Sequence, residues 1–224
     1  MNQELNASSF GGVPLFVHRE FCAVLECCIC IYREFISSYN NIANNEEKIR
    51  DVFFEKLDND KYRNKHKVLL DFHFEREPQE KTGFLDIKVK TLNPYRSTKA
   101  YYIIECKRLN GKKGLNAEYI KNGICRFVTN YYSSYFDCNA MFGFIVEETD
   151  ISKNATEINS LLPYKYINQQ RKKVCANATQ QLTYSDFANG YQYSYISKHK
   201  SINKHNITLF HLMFDFSNNI TTQK

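Results

Sequence analysis

Two apolar runs rich in β-branched and aromatic residues lie close together near the middle of the chain, over residues 84–90 and 100–107. The segment between them contains Asn, Pro, Ser and Thr, so the pattern predicts two strands joined by a loop. Asp86 falls on the first run, and Glu105 and Lys107 fall on one face of the second, because side chains alternate across a strand. Carboxylates among apolar strand residues are costly to desolvate unless a positive charge neutralises them. A divalent cation would meet that need.

The spacing of Asp86, Glu105 and Lys107 resembles the motif of the PD-(D/E)xK nuclease superfamily, which has the restriction endonuclease-like fold. In that motif an Asp lies ahead of a strand that carries (D/E)-x-K. Asp86 corresponds to the first acid, Glu105 to the second and Lys107 to the lysine, whereas Leu85 stands where the motif often has Pro. The resemblance is to standalone bacterial members. It implies a metal-dependent endonuclease that hydrolyses phosphodiester bonds, with DNA as the expected substrate and restriction or anti-phage defence as the setting.

The resemblance also implies a catalytic metal ion. Asp86, Glu105 and the carbonyl of Cys106 would hold Mg²⁺ or Mn²⁺, since hard cations prefer oxygen ligands. Lys107 would orient or help to deprotonate the attacking water and would stabilise the transition state.

A helix predicted over residues 46–57, capped by Asn44 or Asn45, places Glu46 on its inward face. The resemblance implies that Glu46 completes the metal site. The alternative is that Glu46 and Glu47 only stabilise the start of the helix through its dipole.

Four residues after the second strand are expected to contact substrate. Lys112 and Lys113 lie in a basic, glycine-containing loop that either contacts phosphates or is an ordinary exposed turn. Tyr119 and Arg126 lie on a helix predicted over residues 115–135, which resembles the helix that follows the catalytic strand in the superfamily. There the polar residues lie beside the site, so Arg126 would contact a phosphate or a carboxylate. The alternative is a structurally paired or exposed arginine.

The predicted elements over residues 46–147 follow the order α-β-β-β-α-β, which is the order of the superfamily core. The fold expected is α/β, with a restriction endonuclease-like mixed central sheet flanked by helices. A single domain over residues 1–224 would consist of a core at about 44–148, an added N-terminal helix at about 17–38 and a C-terminal extension at about 149–224. The chain is further predicted to form strands at 66–75, 140–146 and 207–216 and a helix at 151–162. Tyr191, Tyr193 and Tyr195 alternate along the chain, so they either lie on a strand or stack on bases.

Composition narrows the class of protein. The net charge of +6 suits a polyanionic partner such as nucleic acid, although an AT-rich genome would also enrich Lys, Asn and Tyr. Eight cysteines without a visible secretory signal predict a reducing, cytoplasmic location, and the lone C-x-x-C of Cys27 and Cys30 favours core packing over zinc. The longest apolar run, 21–32, is too short to cross a bilayer and contains Glu26, so no membrane partner is expected.

Two other functions fit the same residues. One is a catalytically inactive nuclease fold that binds nucleic acid or another protein. The other is an unrelated α/β interaction protein in which Lys107 simply pairs with Glu105 or Asp86. The apolar helix at 17–38 packs either on the core or on a second copy of the chain, so a homodimer is also an open expectation. The residues leave DNA versus RNA and any sequence preference open.

Overall fold

The computed structural model describes residues 13–38, 40–80, 83–92, 101–132 and 137–221. Its helices are α1 (Val13–Ser37), α2 (Glu46–Leu57), α3 (Asp60–Lys65), α4 (Lys113–Tyr119), α5 (Cys125–Val128) and α6 (Ile151–Leu161). Its strands are β1 (Ile42–Ala43), β2 (Phe72–Arg76), β3 (Gln79–Glu80), β4 (Gly83–Phe84), β5 (Ile87–Thr91), β6 (Tyr101–Leu109), β7 (Cys138–Ile145), β8 (Lys165–Ile167), β9 (Lys173–Cys175), β10 (Ala178–Tyr184), β11 (Ser194–Lys200), β12 (Asn206–Asp215) and β13 (Ile220–Thr221). The loop expected between β5 and β6, and residues 133–135 of the predicted helix, lie outside the described residues.

A seven-stranded mixed sheet in the order β10-β11-β12-β7-β6-β5-β2 forms the centre of the protein. The pairs β12/β7 and β7/β6 are parallel, and the others are antiparallel. Helices α1, α2 and α3 cover one face, and α4, α5 and α6 cover the other. Strands β6 and β7 are central and covered on both faces, so nearly all of their residues are buried, including Glu105 and Lys107 of β6. The predicted α/β class with a mixed sheet between helices is confirmed.

The long N-terminal helix packs on the sheet. Phe21 of α1 stacks on Tyr102 of β6 with ring centroids 4.2 Å apart, and it also meets Phe210 of β12 edge to face. Cys27 and Cys28 are buried in the same cluster, and all eight cysteines are free thiols. These contacts are the ones expected if the helix and the C-x-x-C motif pack on the core of the protein. Within the described ranges, no helix is long and apolar enough to cross a membrane.

The strand predicted over residues 66–75 is wrong in its first half. Residues Lys67–Asp71 form a 3₁₀ turn, and β2 begins only at Phe72. The guanidinium of Arg63 donates to the carbonyls of Leu69 and Phe72, at 3.3 and 2.7 Å, and holds this turn closed. The burial therefore departs from that of a strand: Leu70, which would share a face with the buried Phe72 and Phe74, is 40% exposed, whereas Leu69 is fully buried.

The helix predicted over residues 115–135 is also too long. Helix α4 begins at Lys113, continues through a π-helical turn at Ile120–Ile124 and ends with α5 at Val128. Asn130 has a φ of 54°, a left-handed conformation that Asn tolerates and that ends helices. The apolar pattern continues past this point because Tyr131 and Tyr132 pack back on the helix, with Tyr132 meeting Phe127 edge to face.

The predicted tyrosine alternation holds only in part, because β11 begins at Ser194 and carries only Tyr195. Tyr191 is buried, and its hydroxyl donates to the carbonyl of Met213 at 2.7 Å. A buried, hydrogen-bonded ring cannot stack on a base, so Tyr191 belongs to the core.

A chain of buried polar groups crosses the face of the sheet covered by α4. The Tyr119 hydroxyl lies 2.8 Å from His211 Nδ1, and Ser197 Oγ lies 2.7 Å from both His211 Nε2 and His199 Nε2. His199 Nδ1 must donate to the Ala176 carbonyl, 2.8 Å away, because a carbonyl can only accept. The direction of every other bond follows: Ser197 donates to His199, His211 Nε2 donates to Ser197, and Tyr119 donates to His211. Both histidines are neutral in this arrangement.

Acid should therefore weaken the fold through these histidines. Burial lowers the pKa of His199 from its usual 6.5 to about 4 and also lowers the pKa of His211. A depressed histidine pKa favours the folded state above pH 6.5, and that advantage is lost as the pH falls from 6.5 towards 4. For His199 alone we expect a loss of about 3 kcal/mol in the free energy of unfolding.

Urea unfolding of the wild type and of His199→Gln between pH 7.5 and pH 4 measures this effect. The difference in unfolding free energy between the two proteins should shrink as the pH falls, because glutamine can form both hydrogen bonds without titrating. A difference that does not change with pH would contradict the assignment of a neutral His199.

Candidate active site

The predicted motif residues meet where β5, β6 and the start of α2 converge. The antiparallel register pairs Ile87 with Ile104, which puts Asp86, the residue just ahead of β5, beside Glu105. Glu105 and Lys107 face α4 and α5 on alternate positions of β6. Glu46 is the first residue of α2, whose N-cap is Asn45, with its side chain accepting from the Lys48 backbone. The Glu46 carboxylate accepts from the Arg108 backbone N–H at 3.0 Å, which anchors the helix to β6.

Lys107 lies among the four oxygen donors that were predicted to hold metal. Its Nζ is 2.6 Å from the Cys106 carbonyl, 2.9 Å from Glu46 Oε1, 2.9 Å from Glu105 Oε1 and 3.9 Å from Asp86 Oδ2. Burial lowers the pKa of Lys107, but the carboxylates of Glu105, Asp86 and Glu46 outweigh burial and raise that pKa above its usual value. The ammonium is therefore charged, and it occupies the centre of an all-oxygen cluster.

Asp86 is held from two sides. Its Oδ2 accepts from the Cys106 backbone N–H at 2.7 Å, and its Oδ1 lies 3.4 Å from Nη1 of Arg50. Arg50 is almost fully buried, and its guanidinium also binds Glu77 at 2.8 Å and Asp51 at 3.1 Å. Arg50 was not predicted to belong to the site. The signal in the sequence was an arginine inside the apolar stripe of α2, a position where a charge needs a buried partner.

Glu105 has no exposed surface, and three groups compensate its charge. Arg126 Nη1 donates at 2.7 Å, Lys107 Nζ lies at 2.9 Å, and the Tyr132 hydroxyl donates to the second oxygen. Burial raises the pKa of Glu105 to about 7, although the nearby Lys107 works in the opposite direction. Arg126 therefore contacts a carboxylate, which fits both the contact expected for it and the alternative of a structurally paired arginine. Tyr132 was missed, because it follows the helix and lies 27 residues from Glu105 in sequence.

Gly123, in the π-helical turn, lies against Met141 of β7 and Lys107 of β6. A Cβ at this position would lie 2.5 Å from the terminal methyl of Met141 and 3.6 Å from the Lys107 side chain. A larger residue would therefore have to displace the flexible end of Met141, whereas its contact with Lys107 would be an ordinary one. The extra residue of a π turn also shifts the register of the residues that follow it, including Arg126.

The buried contact from Tyr132 should be measurable as stability. We expect Tyr132→Phe to lower the free energy of unfolding by about 1–3 kcal/mol, because the Glu105 carboxylate loses a buried hydrogen bond and keeps its desolvation. Urea unfolding at pH 8, where Glu105 is ionised, gives this value. Tyr131→Phe is the matched control, because Tyr131 is less buried and its ring contacts the Arg126 guanidinium at 5.2 Å from its centroid. An equal loss in both variants would contradict a specific role for the Tyr132 hydroxyl.

Three residues expected to contact substrate lie outside the cluster. Tyr119 is fully buried and donates to His211 in the hydrogen-bond chain described above. Lys112 pairs with Glu147 at 2.5 Å, and Lys113 Nζ lies 5.9 Å above the ring of Tyr164. Lys112 is exposed, as expected, but its charge already has a partner. The burial of Tyr119 is incompatible with its predicted contact to substrate.

The chemistry of the cluster suits a hard divalent cation, because every donor is oxygen. Glu46, Asp86, Glu105 and the Cys106 carbonyl all point towards one small volume, and the Lys107 ammonium holds positive charge there. In the arrangement described, no three His, Cys, Asp or Glu side chains among the described residues form a preassembled metal cluster. A cation could enter this volume only if the ammonium moved outwards and Glu105 turned an oxygen away from Arg126.

Comparisons with protein-family models, with curated proteins and with solved structures find no match to this chain.

Proposed function

We propose that the protein is a metal-dependent nuclease of the PD-(D/E)xK kind that hydrolyses phosphodiester bonds, with DNA as its expected substrate. The observation that carries this proposal is the convergence of four oxygen donors on the Nζ of Lys107, at 2.6 to 3.9 Å. The chain order α2, β2, β5, β6, α4–α5, β7 also agrees with the order of a restriction endonuclease-like core. Restriction or anti-phage defence is the setting that the resemblance suggests for this activity.

In this mechanism Mg²⁺ or Mn²⁺, when bound, would lower the pKa of a water and neutralise charge on the phosphate. Asp86, Glu105, Glu46 and the Cys106 carbonyl would hold the ion. Arg50 fixes Asp86 before substrate arrives, and such preorganisation is what makes an electrostatic site effective. Glu105 would exchange its contact with Arg126 for the ion, while Tyr132 would keep its second oxygen in place.

Lys107 would act as a fixed positive charge. Its raised pKa keeps the ammonium protonated at neutral pH, so it is poorly suited to remove a proton from water. Its Nζ can instead donate to the attacking water and to the developing charge on the phosphate. Of the two roles expected for this lysine, we therefore favour orientation and charge stabilisation over deprotonation.

A second candidate is an inactive nuclease fold that binds nucleic acid or another protein. The favouring observation is that Lys107, Arg126 and Tyr132 already contact both oxygens of Glu105 directly. An ion-paired cluster of this kind is stable without a metal. Both candidates therefore predict the same contacts and differ in whether a cation displaces the ammonium.

Incubation of the purified protein with plasmid, linear duplex, single-stranded DNA and RNA tests the proposal. Each substrate is treated with Mg²⁺, Mn²⁺ or EDTA at pH 8, where Glu105 is ionised. We expect cleavage of at least one substrate that depends on the divalent cation and is absent with EDTA. Nucleic-acid binding without cleavage under every condition would favour the inactive module.

A further inference from the structure

A short basic hairpin lies beside the candidate site and has no role in the mechanism described above. Strands β8 and β9 pair antiparallel, and their tip spans residues 168–172. Lys165, Arg171, Lys172 and Lys173 are all exposed, and no acidic residue occurs between Glu157 and Asp186. Residues 158–185 therefore contain no carboxylate that could offset these charges locally.

The tip of the hairpin has a defined shape. The Asn168 side chain accepts from the Lys172 backbone N–H at 2.9 Å, and the Asn168 backbone N–H donates to the Lys172 carbonyl at 3.0 Å. Arg171 takes the left-handed conformation, with a φ of 58°, and its N–H donates to the Asn168 carbonyl at 2.9 Å. The basic side chains are therefore presented by a closed turn, so little backbone ordering would be needed to bind a partner.

The hairpin and the helix that carries Arg126 enclose a polar cleft. Val174 of β9 packs in the same apolar cluster as Cys125 of α5, which fixes the hairpin against the helix. The cleft is lined by side-chain amides, an arginine and an aromatic ring: Asn122, Arg126, Tyr131, Asn168, Gln169 and Gln170. Arg126 lies in this cleft and at the same time contacts Glu105, so the cleft adjoins the oxygen cluster directly.

We propose that the β8–β9 hairpin and this cleft are the nucleic-acid contact surface of the protein. Lys165, Arg171, Lys172 and Lys173 would neutralise backbone phosphates, which supply most of the affinity in such complexes. The amides of Gln169 and Gln170 at the exposed tip have the donors and acceptors that read base edges. This inference deepens the proposed nuclease function and rests on it for the identity of the partner.

The geometry also favours nucleic acid over an acidic protein surface. Arg126 lines the cleft together with Gln169 and Gln170 of the hairpin tip and lies 2.7 Å from Glu105, so a backbone bound in the cleft would lie beside the oxygen cluster. Tyr131 beside Arg126 offers an aromatic face on which a base can stack. An acidic protein surface would need neither the amides nor the ring.

The test removes three charges from the hairpin, with Arg171→Asn, Lys172→Ala and Lys173→Ala combined. Asparagine is chosen at 171 because it tolerates a positive φ. The matched control removes three exposed charges from the opposite face of the sheet, with Lys61→Ala, Lys65→Ala and Lys67→Ala. Binding of a fluorescent duplex and of a single strand is measured in EDTA over a range of salt concentrations, and thermal melts check that each variant is folded.

We expect the hairpin variant to flatten the log–log dependence of affinity on salt by up to about 2.7 for duplex, or about 2.1 for a single strand. The control variant should keep the wild-type slope. Equal slopes in the hairpin variant and the wild type, or no binding by the wild type, would overturn the proposal. A slope that falls equally in both triple variants would also overturn it, because binding would then depend on total charge.

Hydrolysis of bis(4-nitrophenyl) phosphate with Mn²⁺ separates this inference from the proposed nuclease function. This small diester needs the oxygen cluster and does not reach the hairpin, so the hairpin variant should hydrolyse it at the wild-type rate. If the wild type binds nucleic acid through the hairpin and hydrolyses neither nucleic acid nor the small diester, the nuclease proposal fails and the contact surface stands.

Discussion

Lys107→Ala is expected to lower the rate of nucleic-acid cleavage by about 10²–10³-fold, the usual effect of deleting one preorganised electrostatic contact. Lys107 is the only lysine of the motif, and its Nζ lies within 3 Å of Glu46, Glu105 and the Cys106 carbonyl. The fold should survive, because Arg126 and Tyr132 still hold the Glu105 carboxylate. Cleavage rates at saturating Mn²⁺ measure the loss.

The same variant distinguishes a metal site from a structural ion pair. Without metal, removal of Lys107 leaves three carboxylates with one fewer cation, and breaking a buried pair typically lowers the free energy of unfolding by about 3–5 kcal/mol. If the cluster binds a divalent cation, the empty volume should accept it, and Mn²⁺ at 100 times its dissociation constant should restore about 2.7 kcal/mol. Thermal melts with EDTA and with Mn²⁺ measure this recovery.

Lys90→Ala is the matched control, because Lys90 lies on the neighbouring strand and pairs with Glu75, a carboxylate outside the cluster. It should leave cleavage unchanged and should gain no more stability from Mn²⁺ than the wild type does. A Lys107→Ala protein that loses stability in EDTA and recovers none with Mn²⁺ would support the structural ion pair. Full activity with normal stability would eliminate Lys107 from the mechanism.

The centre of the candidate site could be predicted because its residues belong to a local pattern. Asp86 precedes one strand, and Glu105 and Lys107 alternate on the next, so pairing of the two strands is enough to bring them together. Helix periodicity put Glu46 on the inward face of a helix with a clear N-cap, and the resemblance to the nuclease superfamily implied its place in the site. These inferences need only the period of a strand or a helix and one pairing between neighbouring strands.

The residues that support the site could not be predicted in the same way. Arg50 reaches Asp86 across 36 positions, and Tyr132 reaches Glu105 only because Asn130 ends the helix and turns the chain back. Conversely, Tyr119 was predicted to contact substrate beside the site and does not lie there. Its spacing from Arg126 suggested one polar stripe, but the intervening π-helical turn shifts the register, and Tyr119 enters the core against His211.

The predicted boundaries of the helices and strands were wrong where tertiary contacts override the local sequence pattern. The apolar residues before Phe72 alternate as on a strand, yet side-chain bonds from Arg63 hold Lys67–Asp71 in a 3₁₀ turn. The C-terminal strands β10 to β12 extend the central sheet past β7, which required a parallel pairing of β12 with β7 over a long separation in sequence. Composition carries no information about such a pairing.

Asp86→Asn is expected to reduce cleavage by at least about 10³-fold, because it removes a negative charge from the proposed cation site while keeping the shape of the side chain. Metal ions supply several kcal/mol of transition-state stabilisation, which corresponds to a loss of this size. The asparagine oxygen can still accept from the Cys106 backbone N–H, now 2.7 Å from Asp86 Oδ2, so the thermal stability should change little.

The matched control for this prediction is Asp51→Asn. Asp51 and Asp86 both contact Arg50, at 3.1 and 3.4 Å, and their side chains are similarly exposed, at 19% and 17%. Asp51 also pairs with Arg76 at 3.3 Å and makes no recorded contact with Lys107, so this variant weakens the support of Arg50 while leaving the oxygen cluster intact. If cleavage depends on a cation held by Asp86, only Asp86→Asn should abolish it and should also remove the stabilisation by Mn²⁺. Equal losses of cleavage in the two variants would show that the orientation of Arg50 matters and that Asp86 does not hold the catalytic ion.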